Sequence, residues 1–359
     1  MAKNVRLQSL DVVRGLTVAA MIMVNNGYRD SFEMLRHAAW NGLTVSDFVF
    51  PFFLFIMGVS LFLSFSKTGF QFSWPKFLKI LKRSVLLLVL GIAINWLEMA
   101  CHGNALDFSE LRFWAVLQRI AICYFVAALL AMFLDFRFIL PLSFMLLIAY
   151  GFIIVTGNGY SEEKALNILY ITDSRLFGEA HLYHKSAVDP EGLVSTMASL
   201  ANVLFGFYCG MRMKDGNNIF KKSVACFVPG VILLVLGFLV SFFLPVNKHI
   251  WSPSFALITS GACALFLGVF VKWIDGDRIS GTPVNFFKVF GANALLLYIT
   301  SEIMAIFFGF WGVSDAIFRF WSAIISVPPV ASLFYAFTFV FLNWIIGYPL
   351  WRKHIFIKL

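Results

Sequence analysis

The stretch "LRHAAWNGLTVSDFVFPFFLFIMGVSLFLSFS" (residues 35–66) decides the fold. From Val45 onward it is nearly unbroken Phe, Leu, Val and Ile, long enough to cross the roughly 30 Å hydrocarbon core of a bilayer as one helix. Its front edge packs His37, Trp40, Asn41 and Asp47 close together. A connection between two membrane helices needs no such concentration of polar groups. Thr44 followed three residues later by Asp47 has the form of a capping box that opens the span, and Asn41-Gly42 signals a turn before it. That accounts for Thr44 and Asp47 but leaves His37 and Trp40 without a structural reason.

Working outward, the rest of the chain has the same character. It is 60% hydrophobic and only 13% charged, where soluble domains carry about 25% charge. The apolar runs are continuous instead of alternating with period two, which argues against a β-barrel and points to an all-α polytopic membrane helix bundle. Ten spans are expected, near 9–26, 44–66, 82–100, 114–134, 137–156, 193–212, 223–244, 252–273, 286–309 and 330–351. Residues 313–327, before Pro328-Pro329, read as a short interfacial or re-entrant helix. No segment outside the membrane is large enough to fold alone, so residues 1–359 form a single domain. The first apolar run is interrupted by Asp11 and Arg14 and has no good cleavage site, so it is expected to be a retained span. Cys101, Cys123, Cys209, Cys226 and Cys263 are scattered singly and read as small apolar packing residues.

Charge sets the expected orientation. With a cytoplasmic N-terminus, eighteen of the 28 Lys and Arg residues fall inside and eight outside, with Arg14 and Arg119 in the membrane. The positive-inside rule then gives both termini cytoplasmic. The net charge of +9 is thereby explained by topology, with no nucleic-acid partner. His37 falls on the extracytoplasmic side, as does the long loop 157–192. A polar substrate is expected to be handled on that side.

Charged groups at membrane depth cost about 2.5–3.5 kcal/mol each on insertion scales, so each needs a partner or a task. Asp11 and Arg14 share a helical face and can neutralise one another; Arg14 is also placed to meet an anionic ligand. In "LQRIAICYF" (117–125), Arg119 must face a polar cavity or pair with Glu98 or Glu302. His37 is the one residue of the opening stretch suited to general-base work near neutral pH. His181 and His184 are spaced for two ligands, but their loop lacks the form of a zinc site, and no metal is expected. No nucleophile elbow, zinc-protease helix, Walker loop or dinucleotide fingerprint is present.

These segments together resemble a known family. "RLQSLDVVRGLTVAAMIMVNN" (6–26), the His37–Ser60 stretch, "LQRIAICYF", "DPEGLVSTMASLANVLFGFYCG" (189–210), "PVNKHIWSPSFAL" (245–257) and "GANALLLYITSEI" (291–303) are similar, in that order, to the transmembrane acyltransferases related to heparan-α-glucosaminide N-acetyltransferase. The resemblance implies transfer of an acetyl group from cytoplasmic acetyl-CoA to the amine of a glucosamine-type sugar across the membrane. It implies a bacterial-type chain matching the transmembrane core without the N-terminal luminal region, in a bacterial inner membrane. His37 matches the family's active-site histidine, as general base or as acyl carrier, and Asn25 matches a preceding asparagine that would donate to the thioester oxyanion. Asp47 or Asn41 would orient the imidazole. Arg83, Arg14, Arg119, Lys82 and Arg212 are the candidates for acetyl-CoA. Trp40, Asn247, Lys248 and Trp251 are the candidates for the acceptor sugar. O-acetylation and a homodimer are both compatible with the sequence. A transporter of a small polar or sugar substrate is the alternative, because polar groups inside a bundle also mark transport pathways.

Overall fold

The computed structural model describes residues 7–184 and 186–357. Lys3, Arg6, Lys185 and Lys358, which enter the charge argument above, lie outside the described residues. Among those described, the α-helices are α1 (Gln8–Asn25), α2 (Val49–Thr68), α3 (Trp74–Cys101), α4 (Val116–Phe133), α5 (Ile139–Thr156), α6 (Ile168–Phe177), α7 (Thr196–Asp215), α8 (Ile219–Ser241), α9 (Pro253–Phe270), α10 (Thr282–Ala292), α11 (Ala294–Phe310), α12 (Val313–Ile324) and α13 (Pro328–Arg352). The only β pairing among them is an isolated antiparallel bridge between Asn41 and Asn247.

A helix stands at each of the ten expected places, but fewer have the composition of a membrane span. Six segments are long and apolar enough to cross: Val45–Thr68, Val116–Phe133, Phe136–Thr156, Ile219–Ser241, Pro253–Gly276 and Pro328–Arg352. The α10–α11 pair, bent by 81° at Asn293, makes a seventh if it counts as one broken span. By length and composition alone, six or seven of the ten expected spans qualify among the described residues. Two of the remaining helices have a packing reason for their polarity. α7 packs among α2, α4, α5, α8 and α9, and α1 among α2, α10, α11 and α13. A helix that faces protein on most sides needs no lipid-compatible surface, so α7 carries Ser199 and Asn202 in its buried face.

Small residues let these interior helices approach. A Cβ on Gly58 of α2 would lie 1.9 Å from the Val203 carbonyl oxygen of α7, and one on Gly206 of α7 would lie 2.0 Å from the Phe55 carbonyl oxygen of α2. Gly15 and Gly291 do the same for α1 and α10. Backbone contact of this kind substitutes van der Waals packing for the hydrophobic drive that is missing between helices in lipid.

The start of α1 is capped from afar. Past α9 the chain tightens into a π-helical turn, Val271–Gly276. Its Asp275 accepts from the backbone N–H groups of Gln8 (2.8 Å) and Ser9 (3.2 Å), supplying acceptors for orphan donors at a positive helix end. Loop 157–192 contains α6, and residues 313–324 form α12. α12 is tied to the end of α1 through Asp315, which accepts from Tyr28 Oη (2.7 Å) and Arg29 Nη2 (2.9 Å).

Candidate active site

Residues 35–51 open α2 as the sequence suggests. A 3-10 turn, Val45–Phe48, precedes the α-helix, and Thr44 and Asp47 form a capping box. Asp47 does more than cap. Its Oδ2 accepts from Thr44 N–H and Thr44 Oγ1, both at 2.9 Å, and from Ala38 N–H at 3.3 Å. Its Oδ1 lies 2.9 Å from His37 Nδ1. The Asp47 side chain is fully buried while that of His37 is 44% exposed. A buried carboxylate is tolerable only with this degree of satisfaction.

The pair fixes the imidazole tautomer. An ionised carboxylate only accepts, so Nδ1 carries the proton and the lone pair sits on Nε2. Lys248 approaches the same ring, with Nζ 2.8 Å from Nδ1 and 2.9 Å from Nε2. An atom nearly equidistant from both ring nitrogens lies off the in-plane bonding axis of each, so Nζ sits against the ring instead of on the Nε2 lone-pair axis. Lys248 Nζ is also 3.6 Å from Asp47 Oδ1, and its side chain is 13% exposed. Burial pushes the Lys248 ammonium below the usual lysine range, against the opposing pull of Asp47 and Glu191.

Lys248 is held by a rigid loop. Asn41 meets Asn247 through the β-bridge, through Asn247 Nδ2 donating to Asn41 Oδ1 (3.1 Å), and through Gly42 N–H donating to Val246 O (2.8 Å). Asn247 is buried and its Oδ1 accepts from Ile250 N–H at 3.1 Å. Asn41 therefore latches two loops together, and Asp47 is the group that meets the imidazole. His249, which sequence reasoning left without a role, completes the clamp. Its Nε2 donates to Ala38 O at 3.1 Å, its ring stacks on Trp40 at 5.4 Å, and Nδ1 accepts from Ser186 Oγ at 3.1 Å. Burial lowers its pKa. The Ala38 peptide is thus gripped on both sides, by Asp47 and by His249, which fixes the backbone beside His37.

Trp40 donates Nε1–H to Tyr160 O at 3.1 Å, which ties the stretch to loop 157–192. Trp251 differs from the sequence expectation. It is 1% exposed, adopts a left-handed φ of 54°, and donates Nε1–H to Asn202 Oδ1 at 2.8 Å. Its ring supports the Arg119 guanidinium at 4.9 Å and offers no open face to a sugar. A tryptophan in the left-handed region is strained, so the loop over-determines it.

Arg119, fully buried at the start of α4, donates through Nη2 to Gly192 O (3.0 Å) and to Ser195 Oγ, while its Nε and Nη1 have no hydrogen-bond partner. The loop it grips is also held by Arg112, whose Nη2 donates to Asp189 Oδ1 (2.7 Å) and Glu191 Oε2 (2.8 Å). Burial pushes the Glu191 carboxyl up, but Arg112, Arg119 and Lys248 outweigh it and hold the pKa low. Asp173 of α6 accepts from Leu193 N–H at 3.1 Å, and burial drives its pKa to about 7. Sequence reasoning passed over this clamp because its partners come from separate segments.

Asn25, exposed at the end of α1, donates to Glu302 Oε1 of α11 at 3.2 Å. Among the described residues no group of three His, Cys, Asp or Glu side chains is placed to hold a metal. His181 Nδ1 donates to Leu111 O at 2.7 Å and His184 Nε2 to Ala180 O at 3.3 Å.

The basic candidates separate. At the far end of α2, a cavity of about 430 Å³ is lined by Arg14, Ser60, Lys67, Thr68, Lys214 and Lys222, with Asp11 as its one acidic residue. Arg14 bridges α1 to α2 and α10, donating to Ser60 Oγ (2.9 Å) and Gly291 O (3.2 Å). Arg212 lines a different, largely apolar cavity of about 520 Å³ with Phe144, Phe205 and Pro229. Lys82 and Arg83 are exposed on α3, Arg83 over the Tyr124 ring at 4.4 Å, and line neither cavity.

The sequence profile described as "Heparan-alpha-glucosaminide N-acetyltransferase, catalytic" matches residues 6–182, which include His37 and Asp47. Heparan-alpha-glucosaminide N-acetyltransferase of Mus musculus is 31% identical over 375 residues, covering 86% of this chain and 55% of that protein. The Homo sapiens protein of the same name is 30% identical over 374 residues, with the same coverage. The chain thus spans about half the length of the relatives it matches. By the profile match and by these identities over most of its length, the chain is similar to heparan-alpha-glucosaminide N-acetyltransferases.

Proposed function

We propose that the protein transfers an acetyl group from acetyl-CoA on the cytoplasmic side to the amine of a glucosamine-type sugar on the extracytoplasmic side, with His37 as general base. The observation that carries this reading is the 2.9 Å contact of His37 with the fully buried Asp47. It leaves the lone pair on Nε2 of an exposed ring, with Lys248 Nζ 2.9 Å away. An amine must be neutral to attack a thioester and must then lose a proton, and a positioned histidine serves both needs, contributing about 10²–10⁴ in rate. Similarity to those acetyltransferases supports the reaction class; both termini cytoplasmic and His37 on the far side complete the proposed topology.

The cavity around Arg14, Lys67, Lys214 and Lys222 suits the phosphates of the donor: four cations against one carboxylate. From Ser60 to Asp47 along α2 the pantetheine arm must span about 20 Å at 1.5 Å per residue. Arg119, whose Nε and Nη1 have no hydrogen-bond partner beside Trp251, is one proposed stabiliser of the oxyanion formed on the thioester carbonyl. Asn25 is the second candidate, its amide being already bonded to Glu302.

The test is acetylation of glucosamine from radiolabelled acetyl-CoA by the purified protein. Wild type is expected to form labelled N-acetyl sugar and His37→Ala to lose it. Transfer unchanged by that substitution would remove His37 from the chemistry, and sugar uptake into vesicles without acetylation would make the protein a transporter.

A further inference from the structure

We infer that Lys248 is itself an acetyl acceptor: when donor is bound and no sugar is present, the protein acetylates its own Lys248 Nζ and so shuts its site. The inference rests on the proposed delivery of a thioester to His37. Lys248 presents the same functional group as the acceptor, a primary amine, and presents it within 2.9 Å of both ring nitrogens of the proposed base. That position is built, not incidental. The backbone around it is fixed by the Asn41–Asn247 bridge and by Trp251 N–H donating to Lys248 O at 3.0 Å, with Ile250 and Trp251 fully buried below.

Lys248 Nζ meets His37 at hydrogen-bond distance and Asp47 only as a looser ion pair. Asp47, the carboxylate beside it, stands at 3.6 Å, beyond hydrogen-bond range, and its oxygens are occupied by His37, Thr44 and Ala38. Burial favours the neutral amine, opposed by Asp47 and Glu191. The step balances without another reagent. The ammonium loses one proton to His37 Nε2, which passes it to water. The neutral Nζ attacks the thioester carbonyl carbon, an N–C bond forms and the C–S bond breaks. The second proton moves through His37 to the departing sulfur, so the products are acetyl-lysine, the free thiol of CoA and one proton. An amide is not an activated acyl group, so the acetyl cannot pass on to a sugar. The neutral, bulkier side chain then fills the acceptor side of His37, and sugar occupying that side protects.

The experiment incubates purified protein with trideuteroacetyl-CoA, without sugar, and maps labelled lysines by tandem mass spectrometry. A parallel sample with glucosamine measures transfer. The expected result is Lys248 labelling at least tenfold above the exposed Lys79 and Lys353. The label should resist hydroxylamine, which strips an acyl-imidazole, and fall when glucosamine is present. It should vanish in His37→Ala and His37→Gln, and the initial rate of sugar acetylation should drop in proportion to occupancy. If glucosamine is acetylated but Lys248 is labelled no more than Lys79, the inference fails while the transfer reading stands. Equal Lys248 labelling in wild type and both His37 variants would make it non-enzymatic and also overturn the inference. If neither sugar nor Lys248 is acetylated, both readings fall.

Discussion

Asp47→Asn tests the link between fold and chemistry most sharply, because the structure dictates which way the new amide must face. Three donors converge on Oδ2, namely Thr44 N–H, Thr44 Oγ1 and Ala38 N–H, against one on Oδ1. An asparagine keeps a single acceptor oxygen. Turning its NH₂ toward three donors would leave buried N–H groups unsatisfied at about 1–3 kcal/mol each, so the oxygen stays with Thr44 and Ala38. The NH₂ then faces His37 Nδ1 and donates to it. That inverts the tautomer: Nδ1 becomes the acceptor, Nε2 carries the proton, and the base is lost. Stability should fall by only about 1.5–3 kcal/mol, the scale of one charge-assisted hydrogen bond, while kcat for acetyl transfer falls about 10²–10⁴. Thermal unfolding in detergent and steady-state kinetics on the same preparation measure the two effects. A folded Asp47→Asn protein with kcat within threefold of wild type would refute the tautomer argument.

Three further outcomes follow from the same contacts. The Asp173 carboxyl is raised from 3.8 to about 7, so the folded state binds a proton that the unfolded state releases. Its contribution is fully present below pH 4 and is lost as pH rises through 7. Asp173→Asn should therefore match wild type at pH 4 and melt higher at pH 8; a lower melting temperature at pH 8 would contradict the burial argument. Gly206→Ala sets a methyl 2.0 Å from the Phe55 carbonyl oxygen, and overpacking of that kind should cost about 1–3 kcal/mol, read as a lower unfolding midpoint. Lys214→Ala with Lys222→Ala should raise KM for acetyl-CoA about tenfold, with a smaller change for the sugar and a weaker dependence on salt. An unchanged donor KM would move the phosphate site elsewhere.

Local signals in the sequence proved readable and distant ones did not. The Thr44–Asp47 cap is a four-residue pattern, and the structure forms it. The approach of Lys248 to His37 joins segments 211 residues apart, and no periodicity marks such a pair. Trp251 has an interfacial look in sequence, yet its φ of 54° and its Asn202 partner bury it. Asn41 sits closer in sequence to His37 than Asp47 does, yet it bonds across to Asn247. α1 and α7 fall short of a span's composition because a helix enclosed by other helices can keep Asp11, Arg14, Ser199 or Asn202 without facing lipid. The orphan N–H groups of Arg119 were foreshadowed by the cost of a lone intramembrane arginine, although the Gly192 and Ser195 contacts were not.

The central claim is that His37 completes an acetyl transfer whose donor and acceptor lie on opposite sides of one membrane. Proteoliposomes with glucosamine sealed inside and labelled acetyl-CoA added outside address it directly. Labelled N-acetyl sugar should accumulate in the lumen with wild-type protein and be absent with His37→Ala. Product confined to the acetyl-CoA side, or equal luminal product from the His37 variant, would contradict the account.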